Sequence, residues 1–371
     1  MPNIDARRIH DAFSPSKEIL DPKYFVGRSD EIRKAINALL NAGSFIAIFG
    51  LRGVGKSSIA NQIKLIAEGN KTLPISLGLS RSLPIKSFDF IVHRVTSDGF
   101  ITNIADLIKR IVFGDEANPS LFSLTESGEK QLAEFKRTVT AEGSVGVFGA
   151  KVGAKGKEES KYKTYISDDM IQQFRSLLGT IKKDNQSKEG LLILVDEFDT
   201  IPDKSGFASL VKACSSEFIR FGVVGIGANV TELLKDHSSI SRQIDFIDVP
   251  LMPMAERLQI LSRAEQKIGN DIKFSESARN EICTKSEGFP YFVHLLGKEA
   301  MLLTHERLAR EVNMDDIRLL SQNISNGRLT NTFESVYHES VKNSPQREIL
   351  LKLFAESPEN EIQSEKNLRR C

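Results

Sequence analysis

Apolar residues recur at helical spacing between Ser29 and Leu40, where Ile32, Ile36, Leu39 and Leu40 share one face. The period then changes. Phe45-Ile46-Ala47-Ile48-Phe49 is a short unbroken apolar run that predicts a strand covered on both faces, and it leads into a glycine-rich turn. A second helix is predicted from Ser57 to Glu68, with Ile59, Ile63 and Ile66 on one face and Gly69-Asn70 as its stop. Phe90 to Val95 reads as the next strand and Ile104 to Val112 as the next helix. Leu191 to Val195 and Phe221 to Ile226 are further apolar strands, and Phe246 to Val249 is strand-like. Strands alternating with helices imply a parallel sheet with helices on both faces.

From Met254 onward helical periodicity takes over, with Leu258, Leu261, Ala264 and Ile268 on one stripe. The expected organisation is an N-terminal arm at 1–21, an α/β domain at 22–250, a smaller all-helical lid at 251–340, and a C-terminal helix and tail at 341–371. The α/β domain carries an insertion at about 120–165, where Gly143, Gly146, Gly149, Gly153 and Gly156 alternate with Val145, Val147 and Val152. Such alternation marks bends and close backbone approach, so it reads as a twisted hairpin or surface insertion, with a flap over a site as the functional alternative. Pro345 to Glu356 is predicted as one more amphipathic helix, the start of an incomplete winged helix.

Composition narrows the classes. The chain has 371 residues and 40% hydrophobic content, enough for two or three compact units. Lys plus Arg number 50 against 49 Asp plus Glu, so no charge excess points to nucleic acid or an anionic membrane. No opening run suits a signal peptide and no apolar run reaches the ~20 residues that span a bilayer, which places the chain in the cytoplasm. Cys214, Cys283 and Cys371 lack metal-ligand spacing, and His93, His237 and His294 form no cluster, so both residue types read as packed or solvated.

The glycine-rich turn carries the chemistry. Gly50-Leu51-Arg52-Gly53-Val54-Gly55-Lys56-Ser57 fits G-x-x-x-x-G-K-[ST] in full, after a predicted strand and before a predicted helix. Glycines let the backbone curl so that its N–H groups, joined by those of Ser57 and Ser58 at the helix start, point at phosphate oxygens. Lys56 would bridge the terminal phosphates and Ser57 would ligate magnesium. Leu191-Leu192-Ile193-Leu194-Val195-Asp196-Glu197 is the partner motif, a strand that delivers two acids at its C-terminal end. Asp196 would hold magnesium through water and Glu197 would polarise the attacking water, an arrangement suited to hydrolysis rather than transfer to a small acceptor. No N-K-x-D guanine-reading motif occurs, so ATP is the expected nucleotide.

Phe25-Val26-Gly27-Arg28 with Glu31, the phosphate loop, Asp196-Glu197-Phe198-Asp199 and Gly225-Ile226-Gly227-Ala228-Asn229 together resemble AAA+ P-loop ATPases of the initiator-like and STAND (signal-transduction) branch. The resemblance covers about residues 22–340. It implies that Phe25, Val26 and Gly27 lie against the adenine, and that Asn229 is a first sensor orienting the attacking water; the plain alternative for Asn229 is a turn residue. Ser238-Ser239-Ile240-Ser241-Arg242 resembles the stretch that puts an arginine finger into a neighbouring subunit's site, so Arg242 is either that finger or a surface arginine. Gly288-Phe289-Pro290-Tyr291 follows the G-x-P version of the lid motif, through which Gly288 and Pro290 would contact nucleotide. Ser57 stands where threonine is more frequent, with the ligating hydroxyl kept. Only 28 residues follow Asn343, too few for the winged helix of initiator relatives, which weakens a DNA-loading role.

The function so implied is an ATP hydrolase whose cofactors are ATP and magnesium, driving a conformational or assembly switch in bacterial or archaeal signalling or defence. Its partners would be a protein effector and further copies of the chain. A DNA-associated ATPase of the transposition or replication type and a slowly hydrolysing ATP-binding scaffold are the alternatives.

Overall fold

The computed structural model describes residues 5–15, 17–115, 119–126, 128, 168–226 and 243–325. Asn229, Arg242, most of the glycine-rich insertion and the predicted helix at 345–356 lie outside these residues. The α/β part contains α2 (Ser29–Leu40), β1 (Phe45–Phe49), α3 (Lys56–Ala67), α4 (Thr72–Ser76), β2 (Phe90–Thr96), α5 (Ile104–Phe113), α6 (Asp168–Asp184), β3 (Gly190–Asp196), α7 (Phe207–Cys214), β4 (Ile219–Gly225) and β5 (Ile244–Asp248). The strands form one parallel sheet in the order β2-β3-β4-β1-β5. β1 is thus flanked on both sides, which explains its unbroken apolar run.

Side chains sort to the two faces with period two. Ile46 and Ile48 of β1 join Leu192, Leu194 and Val224 under α2 and α3, while Phe45 and Ala47 join Leu191, Ile193, Phe221 and Val223 under α5, α6 and α7. β4 starts two residues earlier than its apolar run, because Arg220 is a strand residue. Arg220 is buried, donates to Leu39 O and lies over the Phe90 ring at 4.7 Å. A cation–π seat and one carbonyl hold a charge that the pattern assigns to a loop.

The third core belongs to α8 (Met254–Lys267), α9 (Glu276–Lys285), α10 (Pro290–Glu306) and α11 (Met314–Ser325). A two-residue parallel pair, β6 (Lys273–Phe274) with β7 (Glu311–Val312), closes this helical unit and was not legible as strand. The arm contributes to the same core. α1 (Ala6–Ala12), capped by Asp5, puts Ile9, Ala12 and Phe13 among Leu261, Val293 and Leu296. No described helix is long and apolar enough to cross a membrane.

His93 on β2 is buried, and burial pushes its pKa from 6.5 down to about 4, with Lys64 adding to the fall and Asp115 and a hydrogen bond to the Ile111 backbone opposing it. The unfolded chain therefore takes up a proton here at higher pH than the folded one. Stability is expected to fall as pH drops from 6.5 towards 4, by about 2–3 kcal/mol from this residue. Urea titrations from pH 7 to 4.5 should show a shallower loss in His93→Gln; parallel curves would remove His93 as the source.

Candidate nucleotide site

Gly50 to Gly55 forms the turn between β1 and α3, Lys56 and Ser57 open the helix, and Gly55, at φ 98°, is its N-cap with no side chain capping it. Gly55 and Gly53, at φ 83°, take left-handed backbone that a side chain would strain, which is why glycine stands at both. The first turn of α3 therefore offers its N–H groups and its partial positive charge to an anion. Gly50 packs so tightly that a Cβ would lie 2.5 Å from Val249 O. Lys56 donates to Leu51 O at 2.8 Å. Burial pushes its pKa down, against the pull of Asp199, Asp196 and Glu197, while exposed Arg52 adds to the fall.

Asp196 ends β3 and is buried, and each of its oxygens accepts one hydrogen bond, Oδ1 from Glu197 N at 2.9 Å and Oδ2 from Arg94 Nη2 at 2.5 Å. Glu197 is exposed and left-handed at φ 53°, where it caps the turn Phe198–Thr200. Thr200 braces this strained residue by donating to Glu197 O through both its N–H, at 3.0 Å, and its hydroxyl, at 2.7 Å. Asp199 accepts from Ile226 N at 2.8 Å, tying the acidic turn to the end of β4. Among the described residues no three His, Cys, Asp or Glu side chains cluster as a metal cage. One carboxylate and one hydroxyl of this kind suit a magnesium ion that keeps its waters and takes its remaining ligands from phosphates.

The lead-in and the helical unit close on the loop from the other side. Arg28 is buried at φ 62°, and its guanidinium donates to Val54 O and Pro250 O, both at 2.8 Å, and to Glu31 Oε1 at 3.0 Å. Its own N–H donates to Glu256 Oε1 of α8 at 3.2 Å. Gly27, at φ 65°, takes left-handed backbone that favours glycine, and a Cβ there would be 2.2 Å from Glu256 Oε2, so a side chain would have to displace the Glu256 carboxylate. At α10, Tyr291 N approaches Gly53 O at 3.5 Å, and Gly288 O accepts from Met252 N at 2.7 Å.

Phe25, Val26, Val54, Gly55, Ser58 and Pro290 line one small cavity beside the phosphate loop, with Ile19 of the arm, Tyr24 of the lead-in and His294 of α10. Its free volume is about 50 Å³, more than a single water needs. Gly27 and Gly288 do not line it; a Cβ on them would meet Glu256 and Leu251. The arm reaches this cavity along α3: Ile19 N donates to Ser58 Oγ at 3.0 Å, and Asn61 and Gln62 donate to Ile19 O at 3.3 and 2.9 Å. This docking explains why two amides on α3 are buried beside its predicted apolar face.

Arg28, Glu256, Arg94, Glu18 and Asp199 are parts of the site that sequence reasoning did not assign. Arg94 left a signal, a charge within a largely apolar strand. Glu18 and Glu256 left none.

No family model and no curated protein matches the chain. Among solved structures it is similar to the Thermotoga maritima RuvB Holliday junction branch migration motor, at 14% identity over 79% of this chain and 68% of that one, with a TM-score of 0.42. It is also similar to the Aeropyrum pernix ORC2 protein in its ADP form, at 13% identity over 85% of this chain and 71% of that one, with a TM-score of 0.48. At these identities the likeness concerns fold alone.

Proposed function

We propose that the chain is an ATP-binding, magnesium-dependent P-loop ATPase of the AAA+ type, near its initiator-like and STAND branch, in which nucleotide switches the seat of the helical lid on the α/β domain. The observation that carries this reading is the lid's attachment to the phosphate loop itself, through Tyr291 N at Gly53 O and through Arg28, which joins Val54 O to Pro250 O and α8. A ligand shifts an equilibrium only by its differential affinity for the two states, and phosphates bound here touch the element on which the lid rests.

The loop amides and Lys56 would hold the phosphates, with Ser57 and Asp196 holding magnesium, whose charge would offset that of the phosphates. Asp196 fits a water-mediated role, since both its oxygens already accept a protein N–H. Glu197, exposed beside it, would take up the proton of the attacking water. The base would enter between Phe25, Val26 and Pro290, the last of these on α10. Base and phosphates would then act on the lid together. Asn229 as sensor, Arg242 as a finger reaching a neighbouring copy, and a signalling or defence setting extend the proposal by resemblance.

Magnesium ATP at about a hundred times its Kd is expected to stabilise the fold by about 2.7 kcal/mol, a melting shift of several degrees. GTP at the same concentration should shift it less. Thermal melts with each nucleotide check this, and no shift with ATP would sink the proposal. Specific ATPase activity that rises with protein concentration would then support a shared site.

A further inference from the structure

We infer that Arg94 is a positioning residue for the magnesium acid Asp196, and that Glu18 on the N-terminal arm sets how much of the Arg94 charge Asp196 feels. The inference rests on the proposed ATPase site. Arg94 lies on β2, next to β3, and its Nη2 meets Asp196 Oδ2 at 2.5 Å while its Nη1 meets Glu18 Oε2 at 2.6 Å. The three side chains are 12%, 4% and 31% exposed in the order Arg94, Asp196, Glu18, so water screens the inner pair little. Arg94 Nε is buried without a partner, which leaves the two carboxylates to orient the guanidinium.

The charges decide the consequence. With Glu18 in place the Arg94 charge is shared between two carboxylates; without it, the whole of that charge falls on Asp196 and a divalent cation is drawn there less strongly. Arg94 also occupies a lone pair of Asp196 Oδ2, so a fully unshared Arg94 competes with the cation's water for that oxygen. Glu18 draws the guanidinium partly away. The arm that carries Glu18 is held on α3 by Ser58, Asn61 and Gln62, and at its other end α1 is packed in the lid core. A lid movement that lifts the arm takes Glu18 from Arg94 and loosens the cation.

The test is Mn²⁺ binding, read by electron paramagnetic resonance, in the presence of a non-hydrolysable ATP analogue. Glu18→Gln is expected to weaken Mn²⁺ about threefold to tenfold, and to have no such effect when combined with R94Q, because Glu18 acts through Arg94. If R94Q does not melt cooperatively, R94K replaces it, and the effect of E18Q should be reduced. Unchanged Mn²⁺ affinity in E18Q, or equal weakening with and without the Arg94 substitution, would overturn the inference. Binding of a fluorescent ATP analogue in EDTA separates the two readings: its absence in the wild-type chain counts against the ATPase site, and its retention in E18Q beside weakened Mn²⁺ supports the role of Glu18.

Discussion

Glu197→Gln is expected to bind ATP and magnesium as the parent chain does and to lose turnover by about 10²–10⁴-fold, the span of a removed general base. The side chain is exposed at the C-terminal end of β3, free of the Asp196–Arg94 pairing, and the swap keeps its shape, so phosphates and metal should meet an unaltered site. The backbone offers a second arm to the test. At φ 53° a non-glycine residue is strained by about 1 kcal/mol or more, and Thr200 holds it there by two hydrogen bonds. Glu197→Gly relieves that strain and should be no less stable than the parent while equally inactive. Phosphate release and thermal melts on both variants decide it. Residual turnover near the parent rate in both would move the base elsewhere and leave the strain unexplained.

The strain also shows why part of the site could be read before any coordinates and part could not. Gly53, Gly55, Lys56 and Ser57 are adjacent in the chain, and the physics of the phosphate loop is local: a strand, two left-handed residues and a helix start. Asp196 is almost as local, since it needs only an apolar strand that ends in acid. The sheet followed from the same source, because a strand flanked on both sides must be apolar throughout. Arg220 marks where that rule fails, a charge made tolerable by the Phe90 ring and Leu39 O, neither near it in sequence.

What stayed hidden is long-range. Glu256 lies 228 residues from the N–H of Arg28 that it accepts, and Glu18 lies 76 residues from Arg94. An acidic residue on a helix or in a polar arm looks solvated until its partner is known. The arm reads as a linker because of its mixed charges and the breakers Pro15 and Pro22; Ile9, Ala12 and Phe13 suffice to dock it, since the lid supplies the rest of that core. The β6–β7 pair is two residues a side, too short for alternation to register.

Arg28→Met is expected to cost about 3–5 kcal/mol, the loss typical of one partner removed from a buried charge pair. Arg28 is 2% exposed and Glu31 7%, so the carboxylate would be left inside without its cation, and Val54 O and Pro250 O would each lose a donor. The same change removes the guanidinium link to Val54 O and leaves Tyr291 N at Gly53 O and the residue-28 N–H at Glu256, so ATP should protect the lid helices from amide exchange less in this variant than in the parent. Glu256→Gln supplies the contrast. Burial raises the Glu256 pKa, with Glu31 and Asp30 adding to the rise and the Arg28 N–H and guanidinium opposing it, and its Oε2 is buried without a donor. A carboxyl whose folded pKa lies above its unfolded one destabilises the fold once pH exceeds the unfolded value, so the neutral amide should be no less stable at pH 7. Denaturant melts give both energies. A mild Arg28→Met with parental exchange protection would mean that α8 and α10 hold the lid by apolar packing alone, and that Arg28 carries no signal from nucleotide.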